Sequence, residues 1–166
     1  MQDSKLEEIF EKVYFKILNF ISYNLRSEKE VADRLTKYLS KYRISSSEKN
    51  NLSAKLTSKL EEGGYLNDLN FAFTYIKSVS DSKKPVSKRK ITHFLMKKGI
   101  SRDMLSDALD SLPADFSLNN AVKDAEKKLR LLGNIDEFSK KRKLYDYLFR
   151  KGYDSGTISS VVDTLL

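Results

Sequence analysis

Residues 83–112 read KKPVSKRKITHFLMKKGISRDMLSDALDSL, and the order of residue types in this stretch decides the fold. Ile91, Phe94 and Leu95 recur at helical spacing, so they share one face of a helix. Pro85 suits the first turn, where its missing N–H would have no intrahelical partner in any case. Gly99 suits the position just past the helix end, where the backbone turns left-handed and a Cβ would clash. Ser101 then reads as the N-cap of a second helix, whose inward stripe is Leu105, Ala108, Leu109 and Leu112.

This helix–glycine–helix unit recurs. Residues 143–153, KLYDYLFRKGY, lie on residues 90–100, KITHFLMKKGI, and set Gly152 against Gly99 at an offset of 53. Asp154 takes the place of Ser101, and Ile158, Val161, Val162 and Leu165 take the places of the inward stripe. A third copy, RLTKYLSKYRI at 34–44, lies 56 positions upstream of the first and has Arg43 where the others have glycine. Self-similarity of this length marks a repeat architecture, in which each copy is one supersecondary unit.

Working outward, the remaining segments are helical as well. The first expected helix, 4–25, has a broad apolar face that includes Ile9, Val13 and Ile17. Ser27 with Glu30 has the form of a capping box opening a helix over 28–42. Ser45, Ser46 and Ser47 interrupt the chain before a helix over 48–62, which ends at Gly63-Gly64. Asn67 or Asp68 caps the next, to about residue 80. Ser117 is expected to cap a helix to about 132, with Leu118, Ala121, Val122, Ala125, Leu129 and Leu132 inward. Asp136 opens a helix to Lys151, and a last helix covers 155–165.

The spacing therefore predicts an all-α fold of three tandem three-helix repeats, 1–66, 67–116 and 117–166. One unit of about 50 residues buries too little surface to be robust alone. Stacked units share a continuous core, so an elongated, curved array is expected. Only 6 glycines and 2 prolines in 166 residues are too few for a turn-rich β protein.

Composition narrows the function classes. Without cysteine there is no disulfide framework and no thiolate metal site. No apolar run approaches the ~18 residues of a membrane span. The segment MQDSKLEEIFEK lacks the basic-then-apolar order of a signal peptide. A cytoplasmic location and no membrane association are the expectations. The net charge of +8 is shared by all three segments and favours polyanions or acidic protein surfaces as partners. Phosphate-loop, zinc-protease and serine-elbow motifs are all missing. Asp107 and Asp110 are three apart but read as solvent-facing, and the single histidine, His93, has no ligand at helical spacing. Neither an enzyme nor a cofactor is expected.

Four stretches in order resemble the RecX family of bacterial recombinase modulators. Arg26-Ser27-x-x-Glu30-Val31 is similar to the family's R-S-x-x-E-L. Gly64-Tyr65-Leu66-Asn67-Asp68-x-x-Phe71-Ala72 is similar to its G-[YF]-[LI]-[ND]-D-x-x-[FY]-A. Ile91-x-x-x-Leu95-x-x-Lys98-Gly99-Ile100 and Leu144-x-x-x-Leu148-x-x-Lys151-Gly152-Tyr153 are similar to its I-x-x-x-L-x-x-K-G-[IV]. Asn67 and Arg43 depart from the pattern, at positions that read as caps. The resemblance implies binding to a RecA-type recombinase filament on single-stranded DNA. It also implies inhibition of filament extension, ATP turnover, strand exchange and co-protease activity. A weak direct contact with DNA and a monomeric state complete the expectation. A stand-alone helical DNA-binding module is the alternative, and a scaffold for an unrelated acidic partner a third reading.

Two sets of residues follow as candidates. Lys88, Arg89, Lys90, Lys97 and Lys98 recur in register as Lys141, Arg142, Lys143, Arg150 and Lys151, a basic face for filament or DNA. Tyr65, Leu66, Asp68, Phe71 and Ala72, with Gly99 and Gly152, read as structural: turns, a cap and packing between repeats. Tyr42, Tyr145 and Tyr153 are candidates for exposure, where stacking on bases is available.

Overall fold

Side-chain caps set most of the helix starts. The structure is a computed structural model that describes residues 2–166, with side chains from Ser4 onward. Met1, with which the first expected repeat begins, lies outside the described residues. Among the described residues there are nine α-helices and no strand. They are α1 Gln2–Tyr23, α2 Glu28–Leu39, α3 Ser46–Glu62, α4 Asp68–Ser80, α5 Lys88–Lys97, α6 Arg102–Asp110, α7 Phe116–Leu132, α8 Glu137–Lys151 and α9 Ser155–Leu165.

Ser27 and Glu30 form the expected capping box of α2, at 3.3 and 3.2 Å. Ser45 and Glu48 form a second box on α3, at 3.2 and 2.7 Å. Asn67, not Asp68, caps α4, its Oδ1 accepting from the Asn70 N–H at 2.8 Å. Ser101, Asp136 and Asp154 cap α6, α8 and α9 as the sequence predicts.

Two expected starts are corrected. Pro85 does not lie in the first turn of α5, because the Ser87 hydroxyl takes the cap and leaves Pro85 in the lead-in. Ser117 is not a cap, because the Phe116 N–H already bonds the Pro113 carbonyl at 3.0 Å and starts α7 one residue earlier. The buried stripe of α7 is then Phe116, Asn120, Ala121, Asp124 and Ala125, and Leu118 stands 42% exposed. The first helix also ends two residues early, and α2 three residues early.

Helix ends separate the first copy from the other two. Gly99 and Gly152 adopt φ of +89° and +94°, the left-handed turn that glycine makes without penalty. Arg43 needs no such turn, because the chain leaves α2 at Ser40 with φ of −61° and continues through right-handed turns.

Packing divides the chain into two compact units. The first is Met1–Phe71 with Lys98–Ile100. Its core joins Ile9, Val13 and Ile17 of α1 to Val31, Leu35 and Leu39 of α2 and Leu52, Leu56 and Leu60 of α3. The second is Ala72–Lys97 with Ser101–Leu166. There α7, α8 and α9 close on Ala121, Ala125, Leu144, Leu148, Ile158 and Val161, while Ile91, Leu95, Leu105 and Ala108 bury the facing stripes of α5 and α6. The first expected repeat boundary, 66/67, lies within the first unit and the second, 116/117, within the second. Two bonds tie the segments across that second expected boundary. The Val86 N–H donates to Asn120 Oδ1 at 3.2 Å, and the Ser87 hydroxyl to the Lys151 carbonyl at 2.7 Å.

Candidate functional site

Lys88, Arg89 and Lys90 occupy the first turn of α5, which has no acidic residue. Three cations there oppose the helix macrodipole, each by a few tenths of a kcal/mol. Helix stability therefore does not account for the cluster. All three are exposed, as are Lys97, Arg142, Lys143 and Arg150.

Within the second unit, α5 and α8 form the walls of an open groove of about 730 Å³. Arg89, Lys90, Lys97, Arg150 and Lys151 line it together with His93, Phe94, Met96 and Phe149, and no lining residue is acidic. Met96 and Phe149 are 48% and 55% exposed. The close approach of α8 depends on Gly152, whose missing Cβ would fall 2.9 Å from Ser87 Oγ and 3.2 Å from Arg89 Cβ. Cations around exposed apolar side chains suit an acidic surface that offers an apolar anchor. They also suit a nucleic acid whose bases stack on Phe149. His93 is exposed on this wall, and no metal-holding cluster occurs among the described residues.

Lys98, Lys151 and Lys141 of the candidate cations are held by acidic side chains. Lys98 Nζ meets Glu30 Oε1 at 2.6 Å inside the first unit, with Arg26 3.7 Å away on the same carboxylate. Lys151 Nζ meets Asp124 Oδ1 at 2.8 Å inside the second. Asp124 is buried and also accepts from the hydroxyls of Tyr153 at 2.8 Å and Tyr147 at 3.3 Å. Lys141 holds Glu137 at 2.9 Å on the surface of α8.

The residues of the 64–72 motif lie around the start of α4. Asp68 is buried, and its Oδ1 accepts from the Glu28 N–H at 2.8 Å, one of the donors that the first turn of α2 leaves unpaired. Burial and this neighbouring carboxylate push the Glu28 carboxyl above its ordinary value. Leu66 packs against the first core, Phe71 and Ala72 are buried, and Tyr65 is half exposed.

A regulatory protein RecX of Clostridium perfringens is 30% identical over 161 residues, 96% of this chain and 71% of that protein. The chain belongs to the RecX family. Residues 115–162 match the family description RecX, third three-helix domain. The crystal structure of RecX from Lactobacillus salivarius is similar with a TM-score of 0.79 at 26% identity, covering 96% of this chain and 97% of that one. The regulatory protein RecX of Listeria innocua is 29% identical over 158 residues, 93% of this chain and 54% of that protein. The chain thus spans about half the length of several relatives it matches. The Clostridium and Listeria relatives are both named regulatory protein RecX. No described helix is long and apolar enough to cross a membrane.

In this RecX family member, Tyr153 corrects an expectation: it is 4% exposed, with its hydroxyl on Asp124. Asp124 and Asn120 were not legible as site-forming residues, although Asn120 falls four residues after Phe116 and Asp124 three after Ala121 on the buried stripe of α7. A polar side chain on a core stripe is the signal that finds them. Glu30 supports a further expectation. Burial pushes its carboxyl up, but the bonds from Lys98 and Ser27 and the nearby Arg26 outweigh it and hold it below the ordinary 4.5. The folded state therefore favours the charged form. Its contribution is complete above about pH 4.5 and is lost as pH falls through the folded value. Glu30→Gln should cost about 1–2 kcal/mol at neutral pH and flatten the acid limb of a denaturation series. An acid limb that stays as steep in the variant would show that other carboxylates set it.

Proposed function

We propose that this RecX family member binds a RecA-type recombinase filament on single-stranded DNA and restrains it. The restraint covers filament extension, ATP turnover, strand exchange and co-protease activity, and it operates in the cytoplasm. The observation that carries the reading is the α5–α8 groove, where Arg89, Lys90, Lys97 and Arg150 surround Met96 and Phe149 with no acidic lining. Desolvated apolar anchors within a charged rim are the usual composition of a protein-binding patch. Membership of the RecX family supports a RecA-type recombinase as the partner class. Phe149 among cations favours a second reading, direct binding to single-stranded DNA.

The test is the ATPase rate of a RecA-type recombinase on single-stranded DNA as this protein is titrated in, beside binding of the protein to the bare strand. The expected result is loss of ATPase at concentrations where the bare strand is still unbound. Changing Lys90, Lys97 and Arg150 together to Gln should raise the half-inhibitory concentration about 10–100-fold, three rim charges at up to about 1 kcal/mol each. Arg89 stays in place because its stem packs beside Gly152. Unchanged ATPase at saturating protein, with salt-sensitive binding to bare DNA, would leave the DNA-binding reading in its place.

A further inference from the structure

Core packing does not account for Met96. The buried stripe of α5 is Ile91 and Leu95, and Met96 stands 48% exposed in the last turn of the helix. Its side chain lines the α5–α8 groove together with Phe149, which is 55% exposed. The chain has no cysteine, so its two-electron sulfur chemistry falls to methionine. Of the three methionines, Met1 lies outside the described residues and Met104 is half-buried in the first turn of α6. Met96 is thus the described methionine most open to a dissolved oxidant.

A peroxide converts a thioether to a sulfoxide without a cofactor. The sulfur lone pair attacks one peroxide oxygen, an S–O bond forms and the O–O bond breaks. The second oxygen leaves as hydroxide, takes the proton from the new S–OH and departs as water. Sulfur loses two electrons and the peroxide gains them. Arg89, Lys90, Lys97 and Arg150 line the groove and no lining residue is acidic, so the local field favours the departing hydroxide. The product is a polar side chain with a strong hydrogen-bond acceptor. Covering it with an apolar partner surface costs free energy, where covering the thioether contributes it.

We propose that Met96 is a site of reversible peroxide oxidation, and that its sulfoxide releases the groove from its partner. The inference rests on the reading of the groove as the contact with a recombinase filament. Reduced Met96 supplies an apolar anchor with Phe149. Oxidation removes that anchor and leaves the cationic rim as it was. A sulfoxide reductase with a thiol reductant reverses the step: two thiols become a disulfide, and the sulfoxide oxygen leaves as water.

The test treats the full chain with hydrogen peroxide, destroys the excess with catalase, and follows peptide masses beside the recombinase ATPase assay. Met96 should gain its oxygen before Met104 does. The half-inhibitory concentration should then rise about ten-fold, the worth of one buried apolar side chain. The melting temperature should stay the same, since Met96 is at the surface. Met96→Gln, polar and similar in length, should match the oxidised chain without treatment. Met96→Leu, compared with itself before and after peroxide, should show no rise, whereas Met104→Leu should show the full one. Methionine sulfoxide reductases with dithiothreitol should restore the treated parent chain. Untreated protein that does not restrain the ATPase would sink the groove reading and this inference together. Inhibition that survives complete oxidation of Met96, a rise that persists in Met96→Leu, a Met96→Gln chain that inhibits like the parent, or oxidation of Met104 first would overturn the switch alone. So would a rise that tracks a falling melting temperature, or one that the reductases leave in place.

Discussion

Gly152→Ala is expected to destabilise the second unit by about 3 kcal/mol. Two costs add. Gly152 sits at φ of +94°, where an L side chain costs about 1–2 kcal/mol. The new Cβ would also fall 2.9 Å from Ser87 Oγ and 3.2 Å from Arg89 Cβ, and forcing an atom into a packed site costs about 1–3 kcal/mol. The Ser87 hydroxyl cannot simply swing away, since it donates to the Lys151 carbonyl one residue before the glycine. Gly133 separates the two terms. It shares the positive φ, at +64°, but has nothing within 4 Å of its notional Cβ. Gly133→Ala should therefore cost only the backbone part, about 1–2 kcal/mol. Denaturant midpoints at constant m-value make the comparison. Equal losses at the two glycines would mean that close packing of α8 on α5 contributes nothing to the Gly152 effect.

Asp124→Ala should cost about 2–3 kcal/mol, because it leaves the buried Tyr153 hydroxyl without its acceptor and takes the carboxylate from the partly exposed Lys151 and Tyr147. Tyr153→Phe, which removes one bond and keeps the ring, should cost about 1–2 kcal/mol. The same network sets an alkaline limit. Burial works against the Lys151 charge, but the Asp124 carboxylate outweighs it, and the ammonium is held above its ordinary 10.5. Burial, with Asp124 second, pushes the Tyr153 hydroxyl above its ordinary 10.0. Both groups keep their protons more tightly when folded. Their contribution is complete below about pH 10 and is lost as pH rises through the folded values. In Asp124→Ala, Lys151 loses its main stabilising partner and keeps burial, which acts in the opposite sense, beside the smaller effect of Tyr147, so the alkaline loss should shrink. A variant whose stability between pH 8 and 11 parallels the parent chain, scaled only by a constant offset, would remove this network as the cause.

The local grammar of the chain was legible without coordinates. Ser27-x-x-Glu30, Ser101, Asp136 and Asp154 cap helices through bonds that close within three residues, so the spacing alone specifies them, while at α4 it left Asn67 and Asp68 both open. Gly99 and Gly152 announce left-handed helix ends for the same reason, since φ is a property of one residue. The errors at Pro85 and Ser117 are also local: a neighbouring serine or carbonyl reached the same N–H first. The basic groove was half legible. The register of the two cation clusters put them on related helix faces, but it did not separate groove-lining Lys90 and Arg150 from paired Lys98.

The sequence by itself determined the number of helices, most of their caps, the glycine stops of α5 and α8, and the repetition of one helix–glycine–helix unit. These follow from bonds and torsions that span four residues or fewer. Only the tertiary structure decided which lysines neutralise a buried carboxylate, that Tyr153 is a core residue, and that Gly152 is required for space as well as for φ. Those outcomes join residues far apart along the chain: Glu30 to Lys98, Ser87 to Lys151, Asp124 to Tyr153. Each depends on which helix packs beside which, and a helical period specifies the face that is buried but not the partner that covers it.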